Sequence, residues 1–123
     1  DFNESHATNP LWTGHARFHL VWQVNAMIIT ALLAIALLWF FYSFTNHLIV
    51  ILLIYLWIFS FYATVFGLKL FDGELNDING VPPVFIKILG REYEIDRNIQ
   101  AITGSFLVSS YATALFLFNL NLT

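Results

Sequence analysis

Cysteine is absent from this chain, which excludes a disulfide framework, a zinc–thiolate site and an iron–sulfur cluster. Charge is scarce: only 11% of the 123 residues are Asp, Glu, Lys or Arg, where a soluble domain carries about a quarter. Between Leu20 and Leu68 there is no charged residue, and His47 is the one side chain there that titrates in the ordinary pH range. The net charge of −3 and five basic residues that form no patch give no basis for binding nucleic acid. The sequence opens at Asp1 with no Met and no apolar targeting segment ahead of it. That start fits a chain from which upstream residues, another helix among them, have been removed.

What is present is apolar, with 59% hydrophobic and 18% aromatic residues. Such material cannot cover a water-facing surface, so the bilayer is its natural solvent. A membrane helix needs roughly 20 apolar residues, and the uncharged stretch is long enough for two crossings. The chain reads as an all-α integral membrane helical bundle, one domain over 1–123. Its three transmembrane helices are expected at about 18–42, 48–67 and 99–120, with a polar loop at 68–98.

Trp12 and Trp22 at one end of the first span, and Trp39 and Tyr42 at the other, mark interfacial belts. Ser43 to His47 reads as a short turn, with His47 an interfacial or structural residue on the far face. In the polar loop, Pro82-Pro83 followed by Val84 to Gly90 predicts a short interfacial helix, begun by proline and closed by glycine. Asp72 to Asp77 superficially resembles a calcium loop, but Asp77 stands where glycine should be and Pro83 where the closing glutamate belongs. A solvated acidic loop is the expectation. On the third span Ala101, Ser105, Ser109 and Thr113 recur every four residues, a small ridge that lets another helix approach.

Arg17 and the loop residues Lys69, Lys87, Arg91 and Arg97 fall on one side of the membrane, while the turn and the C-terminus carry no Lys or Arg. The positive-inside rule therefore predicts a cytoplasmic N-terminal segment and loop 68–98, with the C-terminus outside. Asn3-Glu4-Ser5 and Asn121-Leu122-Thr123 match the glycosylation triplet, which also arises by chance.

The chemistry gathers at the start of the first span. His15 and His19 are four residues apart, so on a helix both imidazoles point the same way. Gln23, Ala26 and Thr30 continue this stripe, whereas Arg17 faces nearly opposite. A polar stripe is costly against lipid, so it is expected to face a bundle interior or a wet cavity. Glu4 and His6 are near enough in sequence to fold over its mouth. His6, His15 and His19 would be metal ligands for zinc, copper or non-haem iron, with Glu4 as a further ligand. His15, His19 and Glu4 would equally serve as catalytic acid–base groups, with Arg17 and Gln23 contacting substrate. The plainer alternative is that the histidines bond neighbouring helices, that Arg17 snorkels to phosphates, and that Asn25 glues helices together.

Residues 3–19, in which Asn3, His6, Asn9-Pro10, Trp12 and His15-Ala16-Arg17-Phe18-His19 are spaced N-x-x-H-x-x-N-P-x-W-x-x-H-A-R-F-H, resemble a family of small bacterial and fungal membrane proteins of unknown function. The resemblance implies a four-helix membrane bundle with this motif between its first and second helices. The three spans here would then be helices two to four. Membrane desaturases and hydroxylases gather about eight histidines, whereas this chain has four, so a complete di-iron site of that type is excluded unless another subunit contributes.

Two functions compete. One is a membrane-embedded enzyme acting on a lipophilic substrate at the histidine site, beside an aromatic-rich second span. The other is an accessory subunit of a larger membrane complex, associated with a metal, haem or pigment or purely structural. Three spans enclose little volume, which favours a homo-oligomer or a complex surrounded by membrane lipids. A small transporter is weaker, because no broken helix or intramembrane acid is visible.

Overall fold

The computed structural model describes residues 2–75 and 82–120. It divides into two compact units, Asp1–Val50 and Ile51–Thr123. Three helices, each long and apolar enough to cross a membrane, carry the chain, which is therefore an all-α membrane-spanning protein. The Asn76-Asp77 end of the acidic loop and the Asn121-Leu122-Thr123 triplet lie outside the described residues.

In the first unit, helix α1 runs Gly14–Trp39. Thr13 caps it in an extended conformation, its Oγ1 accepting from the Ala16 N–H at 3.2 Å. The expected span at 18–42 is thus shifted toward the N-terminus, because a threonine side chain satisfies a first-turn donor that would otherwise be orphaned. At 1.5 Å per residue α1 is about 39 Å long, against roughly 30 Å of hydrocarbon. Its apolar centre, Ala26 to Leu38, lies toward the C-terminal end, so the surplus length falls in its first turns.

The chain turns through residues 40–43 and enters helix α2, Phe44–Gly67. Ser43 caps α2, its Oγ accepting from the Asn46 N–H at 3.1 Å. The Asn46 side chain donates back to the Phe41 carbonyl. The expected turn at Ser43 to His47 is therefore tighter than its sequence suggests, and His47 belongs to the helix, with its ring against Tyr42 at 5.9 Å.

In the second unit α2 closes through a 3-10 turn, Leu68–Leu70. The Gly73 N–H reaches back to the Leu68 carbonyl at 2.9 Å, with Asp72 in the left-handed region at φ 50°. This is a helix stop of the Schellman kind. Asp72 serves that turn.

Residues Val84 to Gly90 form no helix, which corrects the reading of an interfacial helix there. Strands β1 (Val84–Ile88) and β2 (Arg91–Ile95) make an antiparallel hairpin, with Val84 opposite Ile95 and Ile88 opposite Arg91. Its two-residue turn is Leu89-Gly90, with φ of 50° and 78°, the positive-φ pair of a type I′ connection. Prolines 82 and 83 hold the approach extended, and the β-branched and aromatic residues of Val84-Phe85-Ile86 suit a pleated strand better than a short helix. Leucine in the left-handed region costs about 1–2 kcal/mol, so this tip is strained.

Helix α3, Arg97–Leu120, follows after one residue. That residue, Asp96, caps it by accepting from the N–H groups of Asn98 at 2.8 Å and Ile99 at 3.2 Å. Within this unit α2 and α3 meet through two polar pairs. The Tyr55 hydroxyl bonds Ser110 Oγ at 3.1 Å and the Tyr62 hydroxyl bonds Thr103 Oγ1 at 2.9 Å. Both partners step seven residues in opposite directions, as antiparallel helices with a 3.5-residue contact period require. Phe106 fills the space between, edge-on to Tyr55 at 6.1 Å. The contact thus uses Thr103, Phe106 and Ser110. Of the expected small ridge, Ala101 and Ser105 are exposed and Ser109 and Thr113 half-buried.

Among the described residues only Val50, Ile58 and Asn9 are buried, while leucines, isoleucines and aromatics stand exposed along all three helices. A water-soluble fold could not present such a surface. Replacing Tyr55 and Tyr62 by Phe is expected to weaken the α2–α3 pair by about 0.6 kcal/mol per hydroxyl. The measurement is unfolding in mild detergent by SDS titration; an unchanged midpoint would remove these bonds from the packing.

Candidate functional site

The segment leading into α1 is built around one buried amide. Asn9 is 1% exposed, and all four of its polar groups are used. Its N–H donates to the His6 carbonyl at 3.1 Å, and its own carbonyl accepts from the Trp12 N–H at 3.3 Å. Its side-chain Nδ2 donates to the Ser5 carbonyl at 3.1 Å, and its Oδ1 accepts from the Leu11 N–H at 2.9 Å. The last contact is the Asx-turn geometry that asparagine adopts ahead of proline. Asn3 anchors the upstream end, its carbonyl accepting from the N–H groups of His6 and Thr8, each at 3.1 Å.

This loop fixes His6. Ser5 Oγ lies 2.6 Å from His6 Nδ1, and the imidazole sits edge-on to Trp12 with centroids 5.5 Å apart. The spacing of His6 and Trp12 in the motif is thereby explained as a loop contact.

One turn into the helix, His15 and His19 meet. Their Nε2 atoms are 3.0 Å apart and their rings perpendicular, with centroids at 4.5 Å. At that distance one ring donates an N–H to the lone pair of the other, so one ring of the pair must present an unprotonated nitrogen. Phe18 stacks on His15 at 6.4 Å, and Trp22 lies against His19 at 5.9 Å. The imidazole couple is thus walled by two aromatic rings from its own helix. Phe18, Val21, Trp22 and Asn25 line a recess of about 290 Å³ just below it.

The other residues expected at the site are placed differently. Among the described residues no three His, Asp or Glu side chains gather closely enough to hold a metal ion. His6 is engaged by Ser5 and Trp12, and Glu4 is exposed. Two histidine nitrogens at 2.0–2.1 Å from one metal lie about 2.9–3.4 Å apart at usual ligand angles, so His15 and His19 are spaced as a bidentate pair only. Gln23 is exposed one turn further along α1, and Arg17 is half-buried while the histidines are exposed. Arg17 therefore sits apart from the couple, as its helical position predicts. Ala26 and Thr30 continue the stripe as half-buried positions, Thr30 Oγ1 donating to the Ala26 carbonyl at 2.8 Å.

Sequence reasoning overlooked Asn9 as the organiser and Phe18 and Trp22 as the walls. The Asn-Pro step and the i+3 spacing of Phe18 from His15 carried the signal. Comparison with known protein families, curated proteins and solved structures finds no match to this chain.

Replacing Asn9 by Ala removes both side-chain bonds from a buried position, which typically costs about 1–3 kcal/mol locally. The Leu11 amide is then expected to exchange with solvent roughly 5- to 150-fold faster by hydrogen exchange, a factor of ten being about 1.4 kcal/mol. Unchanged protection would show that the loop is held by other contacts.

Proposed function

We propose that this protein is a membrane-embedded enzyme that transfers a proton on a lipophilic substrate, using His15 and His19 as a coupled acid–base pair at the headgroup boundary. The observation that carries this reading is the 3.0 Å contact between the two Nε2 atoms. It sets the two imidazoles within proton-transfer distance of one another, and the second nitrogen of each ring is the atom that would have to reach the substrate as general acid or base. The pair stands where α1 leaves the hydrocarbon, and the Phe18–Trp22 recess offers an apolar seat beside it. Isomerisation and cyclisation proceed by such a proton transfer, whereas hydroxylation would need an oxidant besides the pair.

A second reading is an accessory role in a membrane assembly or homo-oligomer. Exposed Gln23 and Asn25 on α1 favour it, since an amide near hydrocarbon is stabilised by bonding a neighbouring helix. Glu4, Arg17 and Gln23 enter either reading only as groups that a bound substrate or partner would draw toward the pair.

Membrane orientation belongs to the same proposal. The basic residues Arg17, Lys69, Lys87, Arg91 and Arg97 mark the cytoplasmic side, with the 40–43 turn and the C-terminus outside. The chain has no cysteine, so single cysteines report topology cleanly. A Ser43→Cys variant is expected to react with an impermeant maleimide on intact cells, and an Asp72→Cys variant only after lysis. The reverse pattern would invert the orientation.

The activity is tested by comparing lipid extracts of cells expressing the parent chain, His15→Gln and His19→Gln. Each substitution is expected to lower the new product by two or more orders of magnitude, the usual contribution of a positioned acid–base group, with the helical circular dichroism signal retained. Identical extracts would sink the enzyme reading. A change of mass in native mass spectrometry of Gln23→Leu would support the assembly reading.

A further inference from the structure

We propose that the β1–β2 hairpin is a membrane-contacting element whose apolar face and tip rest in the headgroup region of the bilayer that α3 crosses. The strand register sorts its side chains into two faces. Val84, Ile86 and Ile88 share one face with Ile95, Tyr93 and Arg91, while Phe85 and Lys87 share the other with Glu94 and Glu92. One side is thus apolar apart from a tyrosine and an arginine, the two side chains that pair an apolar body with a polar end at membrane interfaces. Both acids of the strands lie on the opposite side.

Exposure rises along the apolar face. Val84, Ile86 and Ile95 at the base are half-buried, Ile88 is 53% exposed, and Leu89 at the tip is fully exposed. A two-stranded hairpin is marginal in water and needs a surface to pack on. The tip also places a large apolar residue in a left-handed turn position that favours Asn, Asp or Gly. Leucine there is strained and gains nothing from water, whereas acyl chains would take its side chain from water.

The occupant follows from the hairpin's attachment. β2 leads through Asp96 alone into α3, and Arg97 Nε donates to the Pro82 carbonyl at 3.3 Å. Both ends of the hairpin are therefore tied to the first residue of a membrane-spanning helix. Strands of five residues reach roughly 17 Å, less than the width of the bilayer, so the surface within reach is that bilayer's own. Arg91, beside Ile88 on the apolar face, is placed for a lipid phosphate, and Tyr93 for the glycerol level.

The test uses the cysteine-free full chain reconstituted in phosphatidylcholine vesicles, with an environment-sensitive fluorophore at Ile88→Cys or Phe85→Cys. Phe85 is also exposed and apolar but faces the other way, so it reports insertion driven by the label itself. The label at 88 is expected to be quenched about threefold more by acyl-chain nitroxide lipid than the label at 85, with iodide quenching in the reverse order. Adding Leu89→Asp is expected to bring the label at 88 down to the level of the label at 85. Equal quenching at the two positions would overturn the proposal. Protection at 88 that disappears as the lipid-to-protein ratio is raised would overturn it too, since a second copy would then be the cover.

Discussion

Hydrocarbon cannot hydrogen-bond, and the chain is organised by that constraint. Each helix closes its own backbone, and several hydroxyls in the spans find partners within the protein. Thr30, Thr64 and Ser105 each return their hydroxyl to the carbonyl four residues back, at 2.8–2.9 Å. Tyr55 and Tyr62 pair with Ser110 and Thr103 across the α2–α3 contact. Because apolar surface gains nothing from leaving lipid for another apolar helix, these few polar pairs and the shape of Phe106 between them do the work that a large core does in water.

The same constraint separates packing from chemistry. An intramembrane polar group with a built-in partner is structural, and each hydroxyl above has one. The imidazoles of His15 and His19 satisfy one another, but each keeps a second nitrogen, and both residues are exposed in the first turns of α1. Asn9, by contrast, has every polar group engaged and is buried. One residue holds the approach; the other two remain open to something else.

How legible this was in the sequence differs by element and for physical reasons. The three helices follow from composition, since the lack of charge over tens of residues leaves few other structures. Their ends moved because Thr13, Ser43 and Asp96 cap them, and caps act through single hydrogen bonds that hydropathy does not register. The hairpin was misread because Pro82-Pro83 and Gly90 punctuate a short helix and a hairpin alike. Only the β-branched content of five residues and the left-handed Leu89 distinguish them, and the latter is invisible without coordinates. The His15/His19 pair was readable because helical period alone brings i and i+4 together. Drawing His6 and Glu4 to it required a loop conformation that no period dictates, and the loop turns His6 to Trp12 instead.

That separation matters for how the pair works. An N–H···N contact between two rings is a single object: removing either imidazole leaves the other without its hydrogen-bond partner and leaves Phe18 or Trp22 without part of its packing. Residues that act as one unit lose their effect together, so on the proposed reading either single substitution removes nearly the whole contribution of the couple. His6 is held by Ser5 and Trp12 in the loop that Asn9 closes. The motif in residues 3–19 therefore resolves into an imidazole couple on the helix and a scaffold ahead of it. The scaffold's hydrogen bonds end at Trp12, and the next residue, Thr13, is the cap that fixes where the helix starts.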